Sequence, residues 1–363
     1  YHTKMLLSQS KFKEARELLE KWFGPTFDPE IDGLYVNAAK EKAYPTSSFP
    51  KTNIAVADVF HSIANLVSKE ADPTFTLIYS RLAQYLDRNH VDSTLMTADL
   101  LVELGQYDLA IKEHEKLSDS QPQFFASELG RAEALRSSGK EMAAIEVLVE
   151  LTRQYPNSAN GFSILGHHYR RIEAYDKAEV SYREAIKLYE AEGEAGWFLY
   201  YVRGITRERL DLWGLAERDF RKALALNPTQ PQVLNYLGYS LIEKNSNLDE
   251  ALDMIERAVK ESPDSGYIVD SLGWGYYKLG QYEKAVPKLE RAAELMPVDP
   301  IVNDHLGDVY WMVGRKTEAE FQWRRALSFD PETEEIERIK KKLKVGLTQV
   351  LMEETKRTGS LVK

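Results

Sequence analysis

Apolar and polar positions alternate with a helical period along most of the chain, and the stretch from Asp270 to Pro297 shows this clearly. It reads DSLGWGYYKLGQYEKAVPKLERAAELMP, and its apolar residues recur every three to four positions, which predicts amphipathic helices. The same stretch contains three glycines and an internal proline, residues that weaken a single long helix. The pattern therefore predicts two shorter helices with a turn between them.

This pattern recurs after 34 residues, so that Gly273 falls on Gly307 and Pro297 falls on Pro331. A fixed period of this length predicts an array of units, each a pair of antiparallel helices, here called A and B. A small residue such as Gly273 lets the two helices cross closely. Gly280 lies at the turn, where a positive φ is needed, and Pro297 ends helix B.

Eight such units are predicted, with two irregular spacings. The turn Asn245–Asn247 adds one residue, and EAEGEAG (Glu190–Gly196) lengthens another connection; both insertions are expected in loops. Pro287 lies about one turn inside a helix B, where we expect a mild kink and no break. The units begin near Ala57, Val91, Phe125, Ala159, Trp197, Gln232, Gly266 and Pro300.

The repeats resemble the tetratricopeptide family, with matching motifs from about residue 57 to 333. The match is strongest from Gly266 to Thr333 and weaker earlier, where Ala98 and Ala132 replace the first glycine. Runs such as VLNYLGYSLIEKN and LDEALDMIERAV also resemble a group of alphaproteobacterial tetratricopeptide proteins that usually carry an export signal. The resemblance implies an all-α fold, a right-handed superhelix of about eight helix-turn-helix repeats. It also implies a periplasmic location, with the cytoplasm as the alternative.

Four segments follow along the chain. Residues 1–23 are predicted to form a partial N-terminal helical repeat, 24–56 an irregular proline-rich arm, 57–333 the array, and 334–363 a C-terminal capping helix and tail. A short helix around Leu34–Ala43 fits the arm. Because the arm has many large apolar residues, we expect it to be docked and to border a binding surface in part. The flank of the units starting at Ala57 and Val91 is the nearest surface, and the concave groove and a second subunit are the alternatives. The large apolar residues of the arm are Phe27, Ile31, Leu34, Tyr35, Tyr44 and Phe49.

Composition narrows the classes of function. The 57 acidic residues against 47 basic ones give a net charge of −10, which disfavours nucleic acid as a partner. The chain has no cysteine, which excludes disulfides, thiolate metal sites and cysteine nucleophiles. No apolar stretch is long enough to span a membrane. The chain starts with Tyr1 inside a helical pattern, so we expect a fragment or a processed chain. Membrane anchoring by upstream residues therefore stays open, as does the oligomeric state.

Catalytic and metal-binding patterns are absent from the sequence. The adjacent His167 and His168 would point about 100° apart on a helix, and His61, His90 and His305 stand isolated. The prediction is a chain that is not an enzyme and that needs no cofactor and no metal. The C-terminal helix is basic, and its cations are interpreted as a solvated face, with a site for an acidic partner as the alternative. They are Arg338, Lys340, Lys341, Lys342 and Lys344.

Positions 2, 5, 9 and 12 of each unit form one stripe of helix A, which in the tetratricopeptide family lines the concave side. In the later units this stripe is aromatic with acidic spots, and further back it is basic. Aromatic groups with a few polar ones are typical of peptide-binding surfaces. The alternative is that the rings only pack between repeats. The predicted function is a protein- or peptide-binding scaffold or adaptor. A cytoplasmic regulatory scaffold is the alternative, and an RNA-binding repeat or an enzyme is less favoured.

A more specific prediction of the function rests on resemblance alone. The last two units also resemble those of bacterial lipoprotein adaptors that present substrates to carboxyl-terminal processing proteases. The predicted peptide-binding residues are Tyr201, Asn235, Tyr239, Tyr267, Asp270, Trp274, Tyr277, Asp304, Asp308, Trp311, His167, Arg170 and Arg171.

Overall fold

The structure, a computed structural model, describes residues 2–22, 29–43 and 51–361. Two compact units are present, residues 1–154 and residues 155–363. The described helices of the first unit are α1 (His2–Ser8), α2 (Phe12–Trp22), α3 (Pro29–Ala39), α4 (Thr52–Val67), α5 (Pro73–Leu86), α6 (Val91–Glu103), α7 (Tyr107–His114), α8 (Phe124–Ser137) and α9 (Glu141–Gln154). Those of the second unit are α10 (Ala159–Arg171), α11 (Tyr175–Glu192), α12 (Trp197–Arg209), α13 (Trp213–Leu226), α14 (Pro231–Glu243), α15 (Leu248–Glu261), α16 (Gly266–Lys278), α17 (Tyr282–Leu295), α18 (Pro300–Met312), α19 (Lys316–Leu327), α20 (Thr333–Val345) and α21 (Leu347–Leu361).

Eight antiparallel helix pairs build the arrays of the two units. The first unit holds α4–α5, α6–α7 and α8–α9, and the second holds the five pairs from α10–α11 to α18–α19. Within each pair the first helix is helix A and the second is helix B. The described residues form helices and no strand. The predicted all-α repeat fold is therefore confirmed.

In seven of these pairs a residue with positive φ lies two residues after the end of helix A. At Gly280 φ is +70°, and the next residue, Gln281, donates its backbone N–H to the carbonyl of Tyr276 at 2.8 Å. This bond closes the last turn of helix A in the way that left-handed C-terminal residues do. The turn predicted at Gly280 is thus observed. The seven residues are Gly105, Gly139, Glu173, Asp211, Asn245, Gly280 and Gly314.

Helices A and B cross where the sequence predicted a small residue. A Cβ added at Gly273 would lie 2.5 Å from the Cγ of Leu289, so only glycine allows this approach. The same holds at Gly307, where the added atom would meet the ring of Trp323 at 2.5 Å. Helix α17 continues through Pro287, as expected for a proline near a helix start.

The longer insertion is only partly a loop. Helix α11 extends to Glu192, so the first three residues of Glu190–Gly196 prolong helix B, and Gly193 ends it with φ +77°. The loop prediction was wrong for those three residues, because Glu-Ala-Glu favours helix. The phenol of Tyr200 also donates a hydrogen bond to Glu190, which holds the added turn.

The segment predicted as an irregular arm contains a helix, α3, that starts earlier than the one expected at Leu34–Ala43. Leu34 and Ala38 of α3 are buried with Leu7 and Leu19 of α1 and α2, and Ile31 and Tyr35 pack against the same cluster. This corrects the expected docking of these residues on the units starting at Ala57 and Val91. Helix α3 has its own apolar partners nearer in sequence. Phe27, Tyr44 and Phe49 lie outside the described residues.

Candidate functional site

The thirteen predicted binding residues lie on the A helices of the second unit, α10, α12, α14, α16 and α18. Tyr267 and Arg171 are exposed. Six are partly buried: His167, Arg170, Tyr201, Tyr239, Asp304 and Trp311. Five are buried: Asn235, Asp270, Trp274, Tyr277 and Asp308. Buried side chains cannot contact a partner while the repeats stay packed, so the accessible surface is narrower than the stripe.

Trp274 is the centre of a packed cluster between neighbouring A helices. Its ring stacks on His305 at 3.9 Å and on Tyr277 at 4.6 Å, and its Nε1 donates to Glu243 at 2.8 Å. His305 pairs with Asp270 at 3.0 Å. Burial alone would lower the pKa of His305, but Asp270 together with Asp304 and Asp308 outweighs it and the pKa is raised. These contacts tie α14, α16 and α18 together.

Asp304 and Asp308 face a lysine of the same chain. The Nζ of Lys342, on α20, lies 2.7 Å from Asp304 and 2.6 Å from Asp308, and the Lys342 side chain is fully buried. Trp323 adds a hydrogen bond to Asp308 at 2.9 Å. Burial and the neighbouring Asp308 raise the pKa of Asp304, although Lys342 opposes them. The acidic spots predicted for a partner are therefore neutralised internally.

The interpretation of the C-terminal basic residues as a solvated face is wrong for much of α20. Arg338 pairs with Glu354 at 2.9 Å and lies 3.6 Å from Asp308, and Lys341 pairs with Glu353. Two helices, α20 and α21, stand where one capping helix was expected. The basic side chains of α20 are not a solvated face because the buried carboxylates of α18 need cations, and α20 supplies them.

A row of exposed side chains lies along the first turns of four A helices. The second residue of α12, α14, α16 and α18 is, in turn, Phe198, Gln232, Tyr267 and Ile301, and all four are exposed. The apolar members each expose nearly half of their surface, with Tyr267 at 47%. Their position in the first turn keeps them clear of the crossing with helix B. The row gives the second unit an open apolar edge.

A positively charged corner adjoins this row at α10. The pKa of His167 is lowered to about 4 by burial, and the charges of Arg170, His168 and Arg171 add to the effect. His167 shares a hydrogen bond of 2.7 Å with the Tyr182 hydroxyl, and its ring lies 5.8 Å from that of Phe198. The Nε of Arg170 is buried and has no hydrogen-bond partner within the described part of the chain.

Tyr201 lies on α12, the helix that also carries Phe198. Burial raises the pKa of Tyr201, with Tyr267 adding to the shift and Arg170 opposing it. Its ring also lies 6.2 Å from Trp197 and 5.9 Å from Tyr236. Arg170, Tyr201 and Tyr267 are thus among the exposed or partly buried members of the predicted set, on α10, α12 and α16.

The histidines predicted as isolated are not isolated. The rings of His61 and His90 lie 5.0 Å apart, and His90 pairs with Asp58 at 3.2 Å. His305 is paired with Asp270, as described above. Sequence distance hid these contacts because they join different helices. Within residues 2–22, 29–43 and 51–361, no cluster of three His, Asp or Glu side chains has a metal-binding arrangement.

None of the helices that the structure describes is both long and apolar enough to cross a bilayer. Among curated proteins, a TPR repeat-containing protein of Pseudomonas aeruginosa is 28% identical over 192 residues, which cover 53% of this chain and 26% of that protein. The Lipoprotein NlpI homolog of Haemophilus influenzae is 41% identical over 90 residues, 24% of this chain and 27% of that protein. The chain therefore matches about a quarter of the length of these relatives.

Solved structures share the fold. The Cut9 and Hcn1 hetero-tetramer of APC/C aligns with a TM-score of 0.54 and 17% identity over 95% of this chain and 74% of that chain. A tetratricopeptide repeat protein from Parabacteroides merdae aligns with a TM-score of 0.54 and 18% identity over 71% of this chain and 98% of its own. The profile of the tetratricopeptide repeat family matches residues 95–159, 201–266 and 271–332, more than half of the chain. The chain belongs to the tetratricopeptide repeat family.

Proposed function

We propose that the chain is a non-catalytic scaffold that binds a protein or peptide along the A helices of the second unit. The observation that carries the proposal is the exposed row of Phe198, Gln232, Tyr267 and Ile301, which continues over four successive A helices. A helical-repeat fold holds such a row on rigid elements, which lowers the ordering cost of binding. Exposed aromatic groups on a rigid frame are typical anchors of protein interfaces.

The chemistry of the surface suggests the character of the partner. Apolar side chains of the partner would pack on Phe198, Tyr267 and Ile301. An acidic group of the partner would lie beside Arg170 and Arg171. Charge-assisted hydrogen bonds from arginine to a carboxylate are stronger than neutral ones. Tyr201 and Tyr239 would border the groove, while Asn235, Asp270, Trp274, Tyr277 and Asp308 would keep the repeats in register beneath it.

A peptide selection tests the proposal. Peptides selected from a random display library against the chain should bind at least tenfold more weakly to Tyr267→Ala and Arg170→Ala. Phe321→Ala is the matched control, because Phe321 is an exposed aromatic residue on helix B of α19, 61% exposed. Failure to select any binder, or equal losses in the control and the Tyr267 variant, contradicts the proposed surface.

For the compartment we propose the cell envelope. The support is the likeness to a protein named as a lipoprotein, and a protease-adaptor role is the finer version of this proposal. A regulatory scaffold in the cytoplasm would use the same surface. Fractionation of cells that express the natural gene with a C-terminal tag separates the two: recovery with periplasmic or membrane markers supports the envelope, and recovery with cytoplasmic markers contradicts it.

A further inference from the structure

Two apolar stripes are exposed on α4 and α5, the first helix pair of the array in the first unit. On α4 the stripe is Val56, Val59, Ile63 and Leu66, and on α5 it is Phe75, Ile78, Leu82 and Tyr85. In each helix the members are spaced by three, four and three residues, which aligns them on one side. Seven of the eight are exposed, and Leu66 and Tyr85 keep 79% and 82% of their surface open.

The two stripes face the same way, opposite to α6. Helix α5 meets α6 through Ser80, which donates to the carbonyl of Ser93 at 2.9 Å, and through Gln84, which donates to Thr94 at 3.1 Å. Helices α4 and α5 pack on each other, and Ala57, Ala64 and Ala83 on these helices are fully buried. At about 100° per residue, both stripes point away from these contacts. They form the side on which a preceding helix pair would pack.

Among residues 2–22, 29–43 and 51–361, no helix pair packs extensively on these two stripes. Helices α1, α2 and α3 pack on one another around Leu7 and Leu19. The extensive helix contacts of α4 and α5 among the described residues are with each other and with α6. A repeat array normally ends in a polar face, because its inner faces are built to be covered. The apolar end of this array therefore needs a cover.

Size and charge favour a second copy of the same chain. From the exposed fractions, the stripes present on the order of 700 Å², close to the roughly 800 Å² that each partner contributes to a standard interface. Residues 51–88 contain four basic and four acidic residues, whereas the whole chain has a net charge of −10. Two copies would repel each other over most of their surface but not through this neutral face.

We propose that two copies associate through the exposed faces of α4 and α5, related by a twofold axis. Asn53 donates a hydrogen bond to the carbonyl of Leu86 at 2.8 Å, which places the start of α4 beside the end of α5. In an antiparallel, self-complementary arrangement, Leu66 at the turn end of one pair meets Tyr85 at the open end of the other. The two most exposed apolar groups of the face then cover each other.

Sedimentation equilibrium of the whole chain tests the proposal. The wild type should have twice its 41.6 kDa mass at micromolar concentration. Leu66→Glu with Tyr85→Glu should be monomeric with an unchanged helical circular dichroism spectrum. Met142→Glu is the control, since Met142 is an exposed apolar residue on α9, and it should stay dimeric. Should the glutamate pair unfold the chain, Leu66→Gln with Tyr85→Gln replaces it.

Cysteine crosslinking tests the orientation, because the chain has no native cysteine. A mixture of Leu66→Cys and Tyr85→Cys chains should give a disulfide-linked dimer faster than either chain alone. A wild type that is monomeric at 100 μM overturns the proposal. So does a dimer that persists in the Leu66 and Tyr85 double variant. If the thiols of the Leu66→Cys and Tyr85→Cys chains are protected from thiol reagents in a monomer, the chain's own N-terminal helices cover the face, which would equally overturn it.

Discussion

The two units balance side-chain volume differently where helices A and B cross. In the second unit helix A presents glycine, and a large side chain of helix B lies on it, as Trp323 lies on Gly307. The other large residues are Tyr182, Phe220, Ile255 and Leu289. In the first unit the corresponding sequence positions hold Ala64, Ala98 and Ala132 on helix A and Ser80, His114 and Leu148 on helix B, and the His114 ring lies against Gly130 of the next helix A.

Two of these first-unit residues are polar, buried and hydrogen-bonded. Ser80 lies 2.7 Å from the hydroxyl of Thr97, and the Nδ1 of His114 lies 3.1 Å from the hydroxyl of Ser127. A satisfied hydrogen bond contributes about 1 kcal/mol net, whereas burying a large apolar side chain contributes about 2 kcal/mol or more. The repeat geometry thus accepts either solution, but we expect the second unit to be the more stable one.

The largest effect is expected from emptying the crossing in each unit. Trp323→Ala should lower the free energy of unfolding by about 4 kcal/mol, since it leaves a cavity over Gly307. Ser80→Ala should cost only about 1 kcal/mol. Urea unfolding followed by circular dichroism, with hydrogen exchange to locate the change, measures both. Similar losses from the two substitutions would mean that the units do not differ at their crossings.

Overfilling the crossing is the converse change. Gly273→Leu should cost about 3 kcal/mol, because the new side chain collides with Leu289 and with its backbone nitrogen. Gly214→Leu on α13 is the control, as Gly214 is exposed and an added Cβ has nothing within 4 Å. Thermal melts compare the two. An unchanged melting temperature for Gly273→Leu would rule out the assignment of Gly273 to a tight crossing.

Acid should weaken the first unit through His114. Burial lowers its pKa to about 4, although Glu128 opposes the shift. The unfolded chain therefore takes up the proton first, so this contribution is complete above about pH 6.5 and is lost as the pH falls towards 4. We expect a loss of about 2 kcal/mol between pH 6.5 and 5. Unfolding titrations of wild type and His114→Asn should show that the loss shrinks in the variant; an equal loss in both contradicts the assignment.

The smallest effects concern the turns. The two described positive-φ turns between helices A and B in the first unit use Gly105 and Gly139. In the second unit, the first such turn uses Glu173, at φ +58°. Glu173→Gly should stabilise the chain by about 1 kcal/mol, because the left-handed conformation strains a residue with a Cβ. Gly139→Ala should destabilise it by a similar amount. Chemical denaturation is the measurement, and a destabilised Glu173→Gly would point to a role for that side chain beyond the turn.

Prediction from sequence succeeded where a single residue type meets a structural requirement within one repeat. Gly273 and Gly307 at the crossings, Gly280 at a turn and the 34-residue period follow from rules that act within one repeat. Which residues of the candidate site stay accessible depends on contacts between repeats, and no pattern within one repeat shows those contacts. Trp274 and Tyr277 look like exposed groove residues on a helical wheel, but they are covered by His305 and by each other.

The sequence by itself determined the fold class, the number of helix pairs and the absence of cysteine chemistry, because periodicity and composition act locally or over the whole chain. Only the tertiary structure decided which residues of the A-helix stripe stay open. Lys342 reaches Asp304 and Asp308 across 38 and 34 residues of chain, and no local pattern pairs them. Burial and charge pairing depend on packing between distant segments. The structure therefore leaves only part of the thirteen-residue stripe accessible, including Tyr267 and Arg170.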